Sequence, residues 1–156
     1  MAKLILYHCS PFKYDKPSIE KSKMYLDFGR GLYLTEYMED ALRILKHTHG
    51  YLYTYELEEN DLKILEFNND LDWMAYILKN RLSNDLDDYD AVYGKTASGK
   101  CAKMFRDLRH NNATYTPQEI FQECSKGNYK EQWCIKTYNG YNKLKLVDVE
   151  EIEFSK

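Results

Sequence analysis

At 156 residues with a net charge of −3, the chain has the length of one domain and lacks the basic excess that dedicated nucleic-acid binders show. Its 44% hydrophobic and 30% charged residues exclude wholesale disorder, and seven glycines with three prolines exclude collagen-like or linker-dominated designs. No apolar run approaches the ~18 residues of a membrane helix, and Met1–His8 lacks the ~7–15-residue apolar stretch of a secretory leader, so the expectation is a cytoplasmic protein with one domain over 1–156.

In chain order, Lys3 to Tyr7 reads as a strand ending at His8, followed by a long connection over Ser10 to Tyr25. Asp27-Phe28-Gly29-Arg30 leads into a second strand, Gly31 to Thr35. Met38, Ala41, Leu42 and Leu45 fall at helical spacing, which predicts a helix over Glu36 to His49 with Thr35 as its N-cap and Gly50 as its stop. Strands are expected at Tyr51 to Leu57 and Leu62 to Phe67, then a helix at Asp70 to Arg81 and a short buried strand at Asp90 to Gly94. Lys100 to His110 reads as helical. Thr116-Pro117-Gln118-Glu119 forms a capping box that opens a helix to Ser125. Glu131 to Tyr138 reads as a strand, and Asn139-Gly140 signals a hairpin back into Leu144 to Val149. Interspersed elements with a hairpin at the end favour α+β over a doubly wound parallel sheet.

The four cysteines include no C-x-x-C pair, and in a reducing compartment they are expected as free thiols. No histidine and cysteine set has zinc spacing, so no metal is expected. His47, His49 and His110 read as surface residues. There is no P-loop, no dinucleotide fingerprint, no H-E-x-x-H and no G-x-S-x-G.

Three segments carry a resemblance: Leu6-Tyr7-His8-Cys9-Ser10, Asp27-Phe28-Gly29-Arg30-Gly31-Leu32-Tyr33-Leu34-Thr35, and Glu131-Gln132-Trp133-Cys134-Ile135. With Asp72 to Ile77, Asn80-Arg81 and Tyr89 to Gly94, their order is similar to that of a family of small bacterial proteins of unknown function. That family in turn resembles ADP-ribosyltransferases of the diphtheria-toxin and poly-ADP-ribose-polymerase type. The resemblance implies an α+β fold of split antiparallel β-sheets with surrounding helices and a central NAD cleft. It implies His8, Tyr33 and a late-strand residue, Gln132 or Glu131, as the catalytic set. NAD would be held by His8, Cys9, Ser10, Gly31, Tyr33 and Thr35, as substrate and with no metal. The chain departs from the family pattern at Cys9, where glycine is usual, and at Gln132, where the strongest transferases carry glutamate. Ala97-Ser98-Gly99-Lys100 also replaces the family's Ala-Asn-Asp-Lys.

Strand alternation places Gln132 and Cys134 on one face and Glu131, Trp133 and Ile135 on the other. The apolar Trp133 and Ile135 face reads as core, so Gln132 is assigned to the cleft. Glu131 takes its place if a bulge intervenes. Arg30 and Arg81 are read either as local structure or as contacts to an NAD phosphate. The implied activity is mono-ADP-ribosylation of an unidentified protein or nucleic-acid target, in the manner of a bacterial toxin or modifier, with no membrane and no stable nucleic-acid complex. A non-catalytic nucleotide-binding or protein-interaction module on the same fold is the alternative.

Overall fold

The structure is a computed structural model that describes residues 3–14, 26–46, 48–83, 87–97, 99–111, 115–126 and 130–153. Most of the expected 10–25 connection, together with His47 and Ser98, lies outside the described residues. The described elements are β1 (Lys3–Ser10), β2 (Leu32–Leu34), α1 (Met38–Arg43), β3 (Gly50–Glu58), β4 (Ile64–Glu66), α2 (Asp70–Leu82), β5 (Ala91–Lys95), α3 (Gly99–Arg109), α4 (Pro117–Ser125), β6 (Glu131–Ile135), α5 (Tyr138–Tyr141) and β7 (Leu144–Ile152). They form a mixed α+β fold. One sheet has the order β1-β3-β7 and is antiparallel; the other has the order β2-β6-β5-β4 and is antiparallel except for the β4–β5 pair, which α2 connects.

Period-two patterning decides how these sheets stack. Leu6, Tyr53, Tyr55 and Leu57 from the first sheet meet Leu32, Leu34, Ala91, Trp133 and Ile135 from the second in one buried cluster. The opposite face of the second sheet, with Val92 and Cys134, packs on Trp73, Met74 and Ile77 of α2 and on Phe105 of α3. Both faces of β6 are therefore core. Apolarity on the Trp133 side does not by itself turn Gln132 towards a cleft. Each fully buried leucine or isoleucine here contributes roughly 1.5–3 kcal/mol. A third, smaller cluster joins Cys9 and Leu52 to Ala41 and Leu45 beneath α1.

Helix boundaries follow local chemistry in α2 and α4. The Asn69 side chain accepts a hydrogen bond from the Asp72 N–H at 2.8 Å. In α4 the expected capping box is present: Thr116 accepts from Glu119 N–H, and Glu119 accepts from Thr116 N–H. α1 is shorter than its periodicity suggests. It starts at Met38, after a turn in which Thr35 Oγ1 accepts from Tyr37 N–H, and Lys46 with φ 50° closes its final turn before Gly50. Thr35 is thus not its N-cap.

Two further expectations are overturned. The hairpin at Asn139-Gly140 does not form, because β6 and β7 belong to different sheets and the intervening residues wind into α5. Thr137 caps α5 by accepting from Gly140 N–H, and its hydroxyl donates to Asp90 at 2.7 Å. The cysteines are also not all free: Cys101 and Cys124, both buried, form a disulfide that ties α3 to α4, while Cys9 and Cys134 are buried free thiols. The pairing is invisible in linear spacing because two separate helices bring the thiols together. Disulfides persist in oxidising compartments, so cysteine usage gives no support to a reducing one. Among the described residues no helix is long and apolar enough to cross a membrane.

The loop before β2 hangs on a buried polar node. Asp27, 3% exposed, accepts from Arg81 Nε at 2.6 Å and from Ala97 N–H at 2.5 Å. Asn80, also buried, donates to the Asp27 carbonyl at 3.1 Å. Burial pushes the Asp27 carboxyl up, and the Arg81 guanidinium opposes that shift. Arg81→Met leaves this carboxylate buried without its cation, and urea unfolding is expected to show a loss of about 3–5 kcal/mol at neutral pH. The unpaired carboxyl's folded pKa then lies further above its unfolded value. The deficit is therefore largest at neutral pH and shrinks as pH falls towards 4. A pH-independent deficit would refute this account.

Candidate functional site

The three motif-bearing strands meet at the seam between the sheets. Tyr7 and Thr35 exchange backbone hydrogen bonds of 2.8 and 3.0 Å, which join β1 to the end of β2. β2 pairs with β6 so that Tyr33 lies opposite Cys134, and β5 pairs with β6 so that Gly94 lies opposite Gln132. Gly31 makes the close entry possible: a Cβ there would lie 2.5 Å from the Ile135 carbonyl oxygen and 2.6 Å from Cys134 Sγ. Gly29, at φ 84°, takes the left-handed turn just before it.

His8 is half-buried and crosses the seam. Its Nδ1 lies 2.8 Å from the Tyr33 carbonyl oxygen. A carbonyl only accepts, so Nδ1 carries the proton. Desolvation by burial lowers the His8 pKa against the raising effect of the Tyr33 hydrogen bond. The ring is therefore neutral at pH 7, and Nε2 is left as an acceptor. Tyr14 and Tyr53 stand 6.1 and 6.2 Å from the ring.

The Tyr33 ring points to the other side of β2, beside Phe28 (centroids 6.1 Å apart, planes 9° apart). Its hydroxyl accepts from Phe28 N–H at 2.9 Å and donates to the Gly29 carbonyl at 2.7 Å. Burial holds that hydroxyl protonated well above the ordinary tyrosine range. Thus His8 meets the Tyr33 backbone, while the Tyr33 side chain locks the glycine loop.

The other predicted residues have definite local partners. The Cys9 thiol turns away from His8 into the cluster with Ala41, Leu45 and Leu52, and burial pushes it up to about 11. Ser10 Oγ accepts from Phe12 N–H at 3.1 Å. Gln132 is half-buried on the Tyr33 and Cys134 face, as alternation requires, with no bulge in its pairing. Glu131 is exposed and accepts a short hydrogen bond from the Tyr93 hydroxyl. Arg81 is engaged by Asp27 rather than standing free, and Arg30 Nε is buried with no hydrogen-bond partner among the described residues.

Sequence reasoning missed two features. The first is a polar cluster in which Lys136 Nζ donates to Tyr76 Oη at 2.7 Å and to Asp87 at 2.8 Å. The second is a cavity of about 420 Å³ bordered by Phe67, Asp70, Trp73, Tyr93, Lys95 and Glu131 among others. Of the predicted catalytic residues only Glu131 lines it. No linear motif marks either feature, since their residues come from separate elements.

The architecture defines a class: an α+β domain whose two sheets are joined by a β1–β2 seam carrying a neutral histidine. Residues 4–146 match the family described as protein of unknown function DUF3990, and the chain belongs to that family. It matches no curated protein and no solved structure.

Two tests separate these roles. Tyr33→Phe leaves the Phe28 N–H and Gly29 carbonyl without their partner, and is expected to cost about 1–3 kcal/mol in denaturant unfolding. Because burial holds the folded His8 pKa below the ordinary histidine value of 6.5, the unfolded chain binds more protons around and below that pH. Stability is therefore lost as pH falls through about 6.5, and His8→Asn should flatten that part of the stability profile. An unchanged slope would show that His8 is not the titrating group.

Proposed function

We propose that the chain is an NAD-dependent mono-ADP-ribosyltransferase, moving ADP-ribose from NAD to a macromolecular acceptor and releasing nicotinamide. The observation that carries this reading is the convergence of the three motif strands, with His8 Nδ1 bound to the Tyr33 carbonyl across the sheet seam. His8 Nε2, as a neutral acceptor, suits a ribose hydroxyl. The Cys9 thiol is directed away from His8, so its backbone is free of the side-chain obstruction that replacing glycine threatened.

In the proposed reaction the bond between ribose C1 and the nicotinamide nitrogen breaks, and its electron pair neutralises the pyridinium. The acceptor's nucleophile bonds to that carbon and loses its proton. Positive charge gathers on the ribose between these events. The Gln132 amide oxygen would stabilise that charge as a dipole, more weakly than a carboxylate. Gln132 in place of glutamate also favours a second reading, a module that binds NAD without turning it over.

NAD labelled on the adenylate, incubated with the protein and cell lysate, tests both. Transfer predicts label on an acceptor and free nicotinamide. Gln132→Ala should lower turnover about tenfold to a hundredfold with little change in NAD affinity, because its contact strengthens only as the ribose becomes cationic. Gln132→Glu should preserve or raise turnover, and Glu131→Ala should be mild. Glu131→Ala abolishing turnover while Gln132→Ala is silent would move the site to the Glu131 face of β6. Binding without nicotinamide release would favour the non-catalytic module, and no binding at millimolar NAD would remove both.

A further inference from the structure

We propose that the cavity between the β4–α2 turn and the Lys95–Glu131 end of β5 and β6 receives the guanidinium of an arginine side chain from a polypeptide partner. The inference goes beyond the NAD reading and does not require it.

About 420 Å³ remains open with Lys95 in place, within the ~300–1,000 Å³ range of ligand sites. Three walls are aromatic, and two of them are held rigidly. Trp73 is buried, and its indole N–H donates to the Lys95 carbonyl at 2.6 Å. Tyr93 stacks on Trp133 with centroids 4.9 Å apart, and its hydroxyl donates a hydrogen bond to Glu131. Phe67 lies over Gly94, where a Cβ would come within 2.9 Å of its ring. Tyr93 and Phe67 are half-buried and offer stacking surface at low ordering cost, while the buried Trp73 forms the floor beneath Lys95.

The charge of the lining selects the ligand. Glu66, Asp70 and Glu131 face the space against the single cation Lys95, which disfavours anions. Lys95 Nζ sits 3.2 Å from Asp70 and 5.2 Å from the Trp73 ring centroid, so a cation already rests there on an aromatic face beside a carboxylate. Asp70 is thereby neutralised. Glu131 has the neutral Tyr93 hydroxyl as its partner, and Glu66 has none among the described residues. A second compact ammonium would be strongly hydrated and would face Lys95. A planar guanidinium sheds water more readily, stacks on rings and bridges carboxylates with paired N–H groups. The site also adjoins the motif strand. Gly94 lines the cavity and is the cross-strand partner of Gln132.

The test titrates the full chain with N-acetyl-arginine N-methylamide, following the Trp73 indole N–H by NMR. The citrulline and lysine counterparts serve as comparison probes. Saturable arginine binding is expected, at least about tenfold tighter than citrulline, and weaker as salt is raised. Glu66 is exposed, so Glu66→Gln should fold normally and weaken arginine binding about threefold. His8→Ala, which bears on NAD, should leave the arginine titration unchanged, so failure of one reading is separable from failure of the other. Equal affinity for arginine and citrulline, binding of lysine as tight as arginine, or no effect of Glu66→Gln would overturn the proposal.

Discussion

The Asp27–Arg81 ion pair is the constraint on which the candidate site depends. The loop from Asp27 to Gly31 must turn sharply through Gly29 and then press β2 against β6 with no room for a side chain at Gly31. Such a loop has little apolar surface of its own to bury apart from Phe28. It is held instead by Arg81 and Asn80 from the last turn of α2, by the Ala97 N–H after β5, and by the Tyr33 hydroxyl from β2. Each of these groups is buried or half-buried, so losing one leaves a polar partner unsatisfied away from water. The motif order D-F-G-x-G-x-Y thus has a structural meaning. Asp27 anchors the loop, the glycines shape it, and the Tyr33 hydroxyl closes it.

That loop decides where the two sheets meet. β2 is only three residues long, yet its neighbours link both sheets: β6 on one side, and β1 through the Tyr7–Thr35 bridge beyond its end. His8 reinforces the same seam from a side chain. Its hydrogen bond to the Tyr33 carbonyl requires one tautomer, and burial keeps the ring uncharged. A neutral histidine with an available acceptor nitrogen fits the recognition of a hydroxyl better than the binding of a phosphate. In this arrangement the structural and proposed functional roles of His8 are not alternatives. One nitrogen holds the seam, and the other is the acceptor that the NAD proposal assigns to a ribose hydroxyl.

The two late-strand candidates occupy different chemical settings. Gln132 lies on the Tyr33 face next to Gly94, half-covered by the helical side of the fold. Glu131 lies at the strand's beginning and lines the cavity, where the Tyr93 hydroxyl orients its carboxylate. Adjacent residues on a strand point to opposite faces, so Glu131 and Gln132 leave β6 on opposite sides, and the cavity borders both through Glu131 itself and through Gly94 opposite Gln132. The neutral one shares a face of the sheet with the Tyr33 side chain, and the charged one lines the cavity proposed for a cationic partner.

Much of the element order was legible in the amino-acid sequence because local chemistry specifies it. The Tyr51 to Leu57 strand, the helix from Asp70 and the Thr116 capping box all follow from periodicity and end-capping groups. Alternation also placed Gln132 and Cys134 on one face of β6, since that period is a property of the extended backbone. The partners of these elements were not legible. Asn139-Gly140 has strong turn propensity, but Asp90 engages both Thr137 and Asn139, and Ile135 and the Asp90 carbonyl crowd Gly140, so the chain winds into α5 and β7 joins β3. Cys101 and Cys124 are separated by 23 positions and meet because α3 and α4 pack together. Arg81 faces Asp27 across 54 positions for the same kind of reason. Capping, alternation and helical period act over a few residues and are written locally. Buried polar pairs, a disulfide and the cavity beside Glu131 require segments distant in the chain to share one low-dielectric space, and only the tertiary structure decides which segments those are.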